Sequence, residues 1–369
     1  MFPPLASYAT LARWLGPWAS EDQSPRHVSR RTETVAAGDR SFEAWVYRPS
    51  RARIRGAVLV SPGLHYAGPQ DPRMERFCRI LASSGTLVFA PFIRDYTDLR
   101  VVPRALDDLD HAFVALLGQP DLPPGCKPIV FSISFGSLLA LRLASSAERA
   151  HQVGGLLLFG GYADWADTLR FSLTGEIDGV PHLAHDPLNQ PVVFLNLLST
   201  MKGTPDDPAP LAAAWREFCE STWGRQEYKR GDKHHEVARL IAPRLPEELR
   251  ELFLRGCGAL PGGYDMCMDA LTRATETSRF LDPLPYVDGL RCPVHIVHGM
   301  DDDVIPYVQM ERLARALPGH VPCETYLTGL YGHTSQASLA ELIGNVPTLA
   351  KELWTMGRIL RAFVKTPRG

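Results

Sequence analysis

Five short apolar runs, each ending at a turn-forming residue, constrain most strongly what this chain can fold into. They are AVLVSPG (57–63), TLVFAP (86–91), PIVFSIS (128–134), GLLLFGG (155–161) and PVHIVHG (293–299). Each run is apolar on both faces, which is typical of a strand in a parallel sheet that helices cover on both sides. The runs therefore predict a buried, mostly parallel sheet.

Helical patterns separate these runs. Asp71 and Pro72 predict the start of one helix, as its N-cap and first-turn residue, and residues 104–118 predict a second. A third pattern begins at Ser134, and another helix with an apolar stripe opens at Pro347. Regular alternation of strand and helix predicts an α/β fold with a doubly wound sheet.

Two regions depart from this alternation. Polar–apolar segments near 28–34 and 42–48 predict antiparallel strands at one edge, with AAGD as their turn. Between 165 and 290 helix-forming segments and Pro- and Gly-rich turns predict a mainly helical cap inserted into the sheet domain. We therefore predict an N-terminal extension with a short helix (1–26), a core (27–164 and 291–369) and a cap or lid (165–290).

Composition narrows the class of function. The chain has 369 residues, 45% hydrophobic and 22% charged, with a formal net charge of -2, which is typical of a globular enzyme. The near balance of charge gives no electrostatic case for nucleic acid or an anionic membrane as a partner. Seven widely spaced cysteines favour reduced thiols in a cytoplasmic protein. We expect neither a signal peptide nor a membrane span.

No cofactor or metal is predicted. The sequence has no Gly-rich phosphate loop and no dinucleotide fingerprint. The adjacent His234 and His235 lie in the charged stretch KRGDKHHEVAR, and neighbours in a helix point to different faces. This pattern favours a solvated helix face over a metal site.

The segment VFSISFGS (130–137) carries the strongest chemical signal. A buried strand runs directly into a helix through Ser132, Ser134 and Gly136, in the form of the nucleophile elbow written Gly-x-Ser-x-Gly. The residues two before and two after the nucleophile crowd each other, so they must be small. The helix N-terminus adds a positive field where an oxyanion would form. Ser134 is the predicted nucleophile; taken alone, a Ser-rich strand end also fits an ordinary turn.

Two further motifs supply partners for this serine. VHGMDDDVIP (297–306) is a strand followed by a turn that carries Asp302. LTGLYGHTS (327–335) carries His333, after a predicted last strand CETYLT. The chain order of serine, aspartate and histidine is the one expected when the three lie on loops after successive strands of a hydrolase sheet. Together with Ser134 they predict a catalytic triad.

Other residues compete for the role of the acid. Asp301 or Asp303 would replace Asp302 if the register of the turn shifts by one residue. Asp164 and Asp167, just after the preceding strand, are less favoured alternatives. Taken alone, each triad partner also fits an ordinary surface loop.

SISFGS, HGMDDDVIP and YGHTS, set on this alternation of strands and helices, resemble the α/β-hydrolase superfamily. The resemblance covers roughly residues 28–164 and 291–365, and the predicted cap lies where that family commonly inserts one. Ser132 stands where the family usually has glycine, and Pro62-Gly63 where it often has His-Gly. Neither departure removes a catalytic group.

The resemblance and the chemistry of acyl transfer assign roles. His333 would take the proton of the serine hydroxyl and return it to the leaving group, while Asp302 orients the imidazole. Two backbone N–H groups would bind the oxyanion, at Phe135 directly after the nucleophile and at Leu64 in the loop SPGLHYAG. His65 and the tyrosine after it either line the pocket or serve as ordinary surface residues.

These features predict hydrolysis of a carboxylic ester through an acyl-enzyme, on a small, moderately apolar substrate. Thioesterase, amidase or peptidase, and acyltransferase activities use the same triad and stay open as alternatives. A non-catalytic binding protein is disfavoured because all three triad candidates are present. The sequence leaves the oligomeric state open.

Overall fold

Eight strands form one sheet in the part of the chain that the structure, a computed structural model, describes: residues 5–20, 22–177, 180, 183–229, 231–329 and 346–365. The strands are β1 (Val28–Ala37), β2 (Arg40–Pro49), β3 (Gly56–Ser61), β4 (Thr86–Pro91), β5 (Ile129–Ile133), β6 (Gly155–Phe159), β7 (Val294–Gly299) and β8 (Cys323–Thr328). Their order across the sheet is β1-β2-β4-β3-β5-β6-β7-β8.

The sheet is mostly parallel, as predicted. Only the pairs β1–β2 and β2–β4 are antiparallel, and the other pairs are parallel. The chain winds to one side of β3 through β4, and then to the other side through β5, β6, β7 and β8. This reversal is the switch point beside which ligands bind in open α/β sheets.

The edge hairpin is longer than predicted. Its register runs without a break from Val28 opposite Pro49 to Ala37 opposite Arg40, so the predicted turn residues Ala36 and Ala37 are part of the strand. The reversal is made at Gly38, whose φ of 66° a glycine adopts at no steric cost.

Helices cover both faces of the sheet. They are α1 (Leu5–Leu15), α2 (Pro72–Ser83), α3 (Arg94–Thr97), α4 (Arg104–Leu117), α5 (Gly136–Ser145), α6 (Trp165–Thr174), α7 (Gln190–Leu197), α8 (Ala209–Thr222), α9 (Gln226–Lys229), α10 (Lys233–Ile241), α11 (Glu247–Gly256), α12 (Gly263–Arg273), α13 (Val308–Ala316) and α14 (Val346–Lys365). The start of α2 is as predicted, since the Asp71 carboxylate accepts hydrogen bonds from the amides of Arg73 and Met74.

Alternate residues of each central strand face opposite layers. One face packs on α1, α2 and α14, in a core that includes Phe131 and Leu157. The other face packs on α4, α5 and α13, in a core that includes Val130 and Leu156 and continues into the helices α6 to α12. These two covered faces explain why the strands read as continuous apolar runs.

The helix α1 lies against α2 and α14. Its Leu11 side chain is fully buried, and the Ser7 hydroxyl donates a 2.8 Å hydrogen bond to the carbonyl of Ser84. The Arg76 guanidinium donates to the carbonyl of Trp14 over 2.9 Å. The helix is therefore an integral part of this layer.

The chain from α6 to α12 leaves the sheet after β6 and returns to it at β7. Its buried side chains, which include Phe194, Trp215 and Phe253, are continuous with the core on that side of the sheet. Among the helices of the described residues, none combines the length and apolar character that crossing a membrane requires.

The prediction of a solvated face at His234 and His235 is wrong. His234 is 4% exposed because it lies on the same face of α10 as the buried Ala238 and Ile241. Burial, with a smaller effect of the neighbouring His235, lowers the pKa of His234. Within the described residues no group of three or more His, Cys, Asp or Glu side chains could hold a metal ion.

Candidate active site

Ser134 occupies the sharp turn between β5 and α5. Its φ is 53°, a left-handed conformation that non-glycine residues adopt only where the surroundings impose it. The amide of Ser134 donates a 2.8 Å hydrogen bond to the carbonyl of Phe159, and its carbonyl accepts from the amide of Ser137 over 2.9 Å. These bonds fix the turn at the end of the sheet, as in a nucleophile elbow.

Close contacts with the end of β3 explain why Gly136, two residues after Ser134, has no side chain. A Cβ atom at Gly136 would lie 2.4 Å from the carbonyl oxygen of Ser61 and 2.5 Å from that of Pro62. No real Cβ approaches backbone so closely, so only glycine fits. The Ser61 hydroxyl also donates to the carbonyl of Gly136 over 2.8 Å.

The loop after β3 passes directly over the elbow. A Cβ at Gly63 would lie 3.1 Å from the carbonyl oxygen of Ile133 and 3.4 Å from the Cβ of Ser134. Both predicted oxyanion residues therefore lie beside the serine: Leu64 is next in this loop, and Phe135 is the N-cap residue of α5. Which atoms their N–H groups would bind stays a prediction.

Aromatic side chains hold Phe135 in place. The Tyr96 hydroxyl donates to its carbonyl over 3.2 Å, and its ring centroid lies 5.3 Å from that of Tyr162 and 5.5 Å from that of Trp165. Burial raises the pKa of Tyr96 far above its ordinary value. Tyr96 therefore stays a hydroxyl donor at any ordinary pH.

His65 links the loop after β3 to the start of α2. Its Nδ1 accepts a 3.2 Å hydrogen bond from the amide of Ala67, and its Nε2 lies 3.5 Å from Oδ2 of Asp71. Burial lowers the pKa of His65, although the Asp71 carboxylate acts in the opposite direction. Its ring stacks on Tyr66 with centroids 4.6 Å apart and lies 5.6 Å from Trp223 of the inserted helices.

Asp302 lies in the turn after β7 and is 3% exposed. Its Oδ1 accepts hydrogen bonds from the amides of Val304 (3.0 Å) and Ile305 (2.9 Å). His298, which the sequence reasoning missed, donates from Nε2 to the carbonyl of Ile305 over 2.7 Å and lies 3.4 Å from Oδ2 of Asp302. A histidine at the end of β7, just before the acidic turn, was the available signal.

Two of the alternative acids beside Asp302 differ from it in surroundings. Asp301 is exposed. Asp303 forms an ion pair with Lys229, whose Nζ lies 2.5 Å from Asp303 and 2.9 Å from Asp186. Burial by itself would lower the pKa of Lys229, but the two carboxylates raise it above its ordinary value.

The acids after β6 have structural partners. The Asp164 carboxylate caps α6 by accepting from the amide of Asp167 over 2.8 Å. Asp167 forms an ion pair with Arg312 of α13. These contacts favour Asp302 as the acid of the site.

His333, the predicted general base, lies outside the described residues. The strand before it, β8, pairs in parallel with β7, and the carboxyl ends of parallel strands meet at one edge of a sheet. The role of His333 therefore stays a prediction.

A cavity of about 490 Å³ opens over Ser134. Side chains of α2, β5, β6 and α14 line one part of it, which we call the core arm: Met74, Phe77, Phe131, Ile133, Leu157, Phe159, Met356 and Phe363. Side chains of the inserted helices and their connections line the other part, which we call the insertion arm: Trp165, Leu169, Asp186, Asn189, Val193, Asn196 and Trp223. The sequence did not predict the core arm.

An elbow after β5, an acidic turn after β7 and helices inserted between β6 and β7 are set here on a mostly parallel eight-stranded sheet. The chain has the α/β-hydrolase fold. No protein-family model and no curated protein matches the sequence.

Several solved structures are similar to this chain. A candidate dipeptidyl aminopeptidase IV from Bacteroides ovatus has a TM-score of 0.51 at 12% identity, over 92% of this chain and 36% of that one. An acylaminoacyl peptidase from Pyrococcus horikoshii has a TM-score of 0.46 at 11% identity, over 93% of this chain and 42% of that one. An esterase from Pyrobaculum calidifontis has a TM-score of 0.47 at 18% identity, over 92% of this chain and 86% of that one. This chain thus spans less than half the length of those two peptidases.

Proposed function

We propose that this protein is a serine hydrolase that cleaves a carboxylic ester through an acyl-enzyme intermediate. The observation that carries the proposal is the left-handed backbone of Ser134 at the start of α5, on the wall of a large and mainly apolar cavity. A chain accepts the cost of that conformation, of order 1–3 kcal/mol, where the turn has a function.

The first half-reaction forms the acyl-enzyme. The Ser134 oxygen attacks the ester carbonyl carbon while its proton passes to His333, and the carbonyl π electrons move to the oxygen. Collapse of this tetrahedral adduct breaks the bond to the alcohol oxygen, which leaves with the proton from His333. Water then repeats the sequence on the acyl-enzyme, releasing the acid and restoring the serine hydroxyl.

Two backbone amides and one carboxylate are proposed to stabilise the charges that develop during the reaction. The amides of Leu64 and Phe135 are the proposed donors to the oxyanion, and a lost donor of this kind typically costs about 100- to 1000-fold in rate. Asp302 is the proposed partner of the imidazolium. Its buried carboxylate is oriented by the amides of Val304 and Ile305.

The test is covalent labelling by a fluorophosphonate probe, combined with hydrolysis of p-nitrophenyl esters. We expect label on Ser134 and release of p-nitrophenol by the full-length protein. Ser134→Ala should abolish both, whereas Ser145→Ala, at the opposite end of α5, should change neither. His333→Ala should slow labelling by at least 1000-fold.

The same assay separates the alternatives. Labelling at another residue, or unchanged esterase activity in Ser134→Ala, would overturn the proposal. Preference for thioesters or acyl-amino-acid amides over matched esters would keep the nucleophile and replace the ester by another acyl substrate.

A further inference from the structure

We infer that the core arm of the cavity binds the acyl chain, and that the substrates are esters of straight-chain fatty acids of medium length. The inference rests on the proposed function and adds the substrate class to it. It also places the acyl group between core elements and not under the inserted helices.

The first wall of the core arm is the face of two central strands. Phe131 and Ile133 of β5 share this face with Leu157 and Phe159 of β6, because alternate strand residues point the same way. Phe131 and Leu157 are buried, whereas Ile133 and Phe159, nearer the serine, are only half-buried. Apolar side chains at the end of an inner strand are thus left open to the cavity instead of being covered by a helix.

The opposite wall comes from α2 and the end of the arm from α14. Met74 and Phe77, one helical turn apart, face the strands. Phe77, Phe131 and Phe363 pack together at the far end, with ring centroids 4.7 to 5.8 Å apart. Three residues of extended strand separate Phe131 from Ser134, so the arm runs about 10 Å from the hydroxyl. This reach suits a medium-length chain.

The insertion arm has a different chemistry. Asp186, Asn189 and Asn196 add polar atoms to its wall. On the core side, Asp71, Arg73 and Arg76 at the start of α2 also line the cavity. Their charged ends are engaged elsewhere, because Arg73 bonds Asp71 and Arg76 donates to the backbone carbonyls of Trp14 and Ser20. Between the two half-reactions the alcohol must depart while the acyl group stays bound to Ser134. The apolar side chains of β5, β6 and α2, which end at packed aromatic rings, can hold the retained chain. The insertion arm is then left for the alcohol.

The experiment measures kcat/KM of the full-length protein for p-nitrophenyl esters from acetate through butyrate, hexanoate, octanoate and dodecanoate to palmitate. Each methylene moved from water into the arm should raise kcat/KM about fourfold, up to a maximum near octanoate. Met74→Trp should narrow the arm and lower the ratio of octanoate to acetate activity about tenfold. Phe77→Ala should open its end and move the maximum to longer chains.

The matched control is Val193→Trp, the same enlargement in the insertion arm. Val193→Trp should leave unchanged the acyl chain length at which kcat/KM is highest. If Val193→Trp shortens the preferred acyl chain and Met74→Trp does not, the acyl chain lies under the insertion and the inference is wrong. A flat length profile in an enzyme that is active on acetate and labelled at Ser134 also overturns it. An unlabelled, inactive wild-type protein would instead refute the proposed function.

Discussion

Ser134 can hold its unusual backbone conformation only because its neighbours in the turn are small. Replacing Gly136 by alanine would force a Cβ to within 2.4 Å of the Ser61 carbonyl oxygen. Moving that backbone should cost about 1–3 kcal/mol of unfolding free energy and displace the nucleophile. Urea denaturation and esterase assays measure both effects.

The control for this substitution is Gly319→Ala, where among the described residues only the chain neighbours lie within 4 Å of the added Cβ. We expect its stability to stay within 0.5 kcal/mol of the wild type. A Gly136→Ala protein as stable and active as this control would show that the turn has more room than the structure gives it.

Ser132 is the second small residue of the elbow. It is fully buried, and within the described residues its hydroxyl has no hydrogen-bond partner. Ser132→Ala removes an unpaired polar group, so we expect the unfolding free energy to rise by about 1 kcal/mol. Ser132→Gly, the residue more usual in this fold, should gain less because glycine loses more backbone entropy on folding. Thermal denaturation distinguishes these results, and a lower melting temperature for Ser132→Ala would reveal a hidden partner.

The residues of the candidate site differ in how far sequence could predict them. The positions of Ser134 and Asp302 at strand ends were predictable because each follows an apolar strand in a short motif of fixed spacing, whereas their catalytic roles stay predictions. Lys229 was not, since its two carboxylate partners lie on separate segments that only the tertiary fold brings together. His234 was predicted incorrectly because a short, highly charged helix does not reveal which face packs inward.

Among the elements, the inserted helices are connected to the acidic turn by a buried ion pair. Lys229 of α9 is 9% exposed at its side chain and contacts both Asp186 and Asp303. Lys229→Met should leave two close carboxylates without a cation, at a cost of about 3–5 kcal/mol. We also expect kcat to fall, because Asp303 adjoins Asp302.

Lys202→Met is the matched control for this ion pair. Its side chain is 80% exposed and lies 3.3 Å from Asp269, and such surface pairs contribute little. Chemical denaturation and kcat should therefore show no change. If both lysine variants behave alike, the buried pair does not couple the insertion to the site.

For the whole molecule, three histidines predict a loss of stability in acid. Burial is the largest cause that lowers the pKa of His65, His234 and His295 below the ordinary value of 6.5. Below pH 6.5 the unfolded chain therefore binds more protons than the folded one, and folding weakens. The stability that these groups contribute is complete above pH 6.5 and falls as the pH drops toward their folded pKa values.

His234→Gln tests this linkage. It should reduce the slope of unfolding free energy against pH between about 5 and 6.5, whatever its effect on stability at pH 8. His151→Gln, at an exposed position, should leave the slope unchanged. An unaltered slope in His234→Gln would mean that folding does not lower the pKa of this histidine.

The fold itself was largely readable from the sequence, because strands covered on both faces show no polar alternation and stand out as apolar runs. The core arm could not be predicted. Its walls combine Phe77, Phe131 and Phe363, and each of these alone reads as an ordinary core residue of its own element. Only the packing of α2 and α14 against the sheet shows that space remains between them.

The position of α1 has a practical consequence for handling this protein. Leu15, at its end, lines the same cavity as Ser134, and Ser7 and Trp14 anchor the helix to α2 and its flanking loop. A shortened protein that starts at β1 would lack one wall of the cavity and would expose apolar side chains to solvent. Any affinity tag is therefore better joined ahead of Leu5 than exchanged for the leading helix.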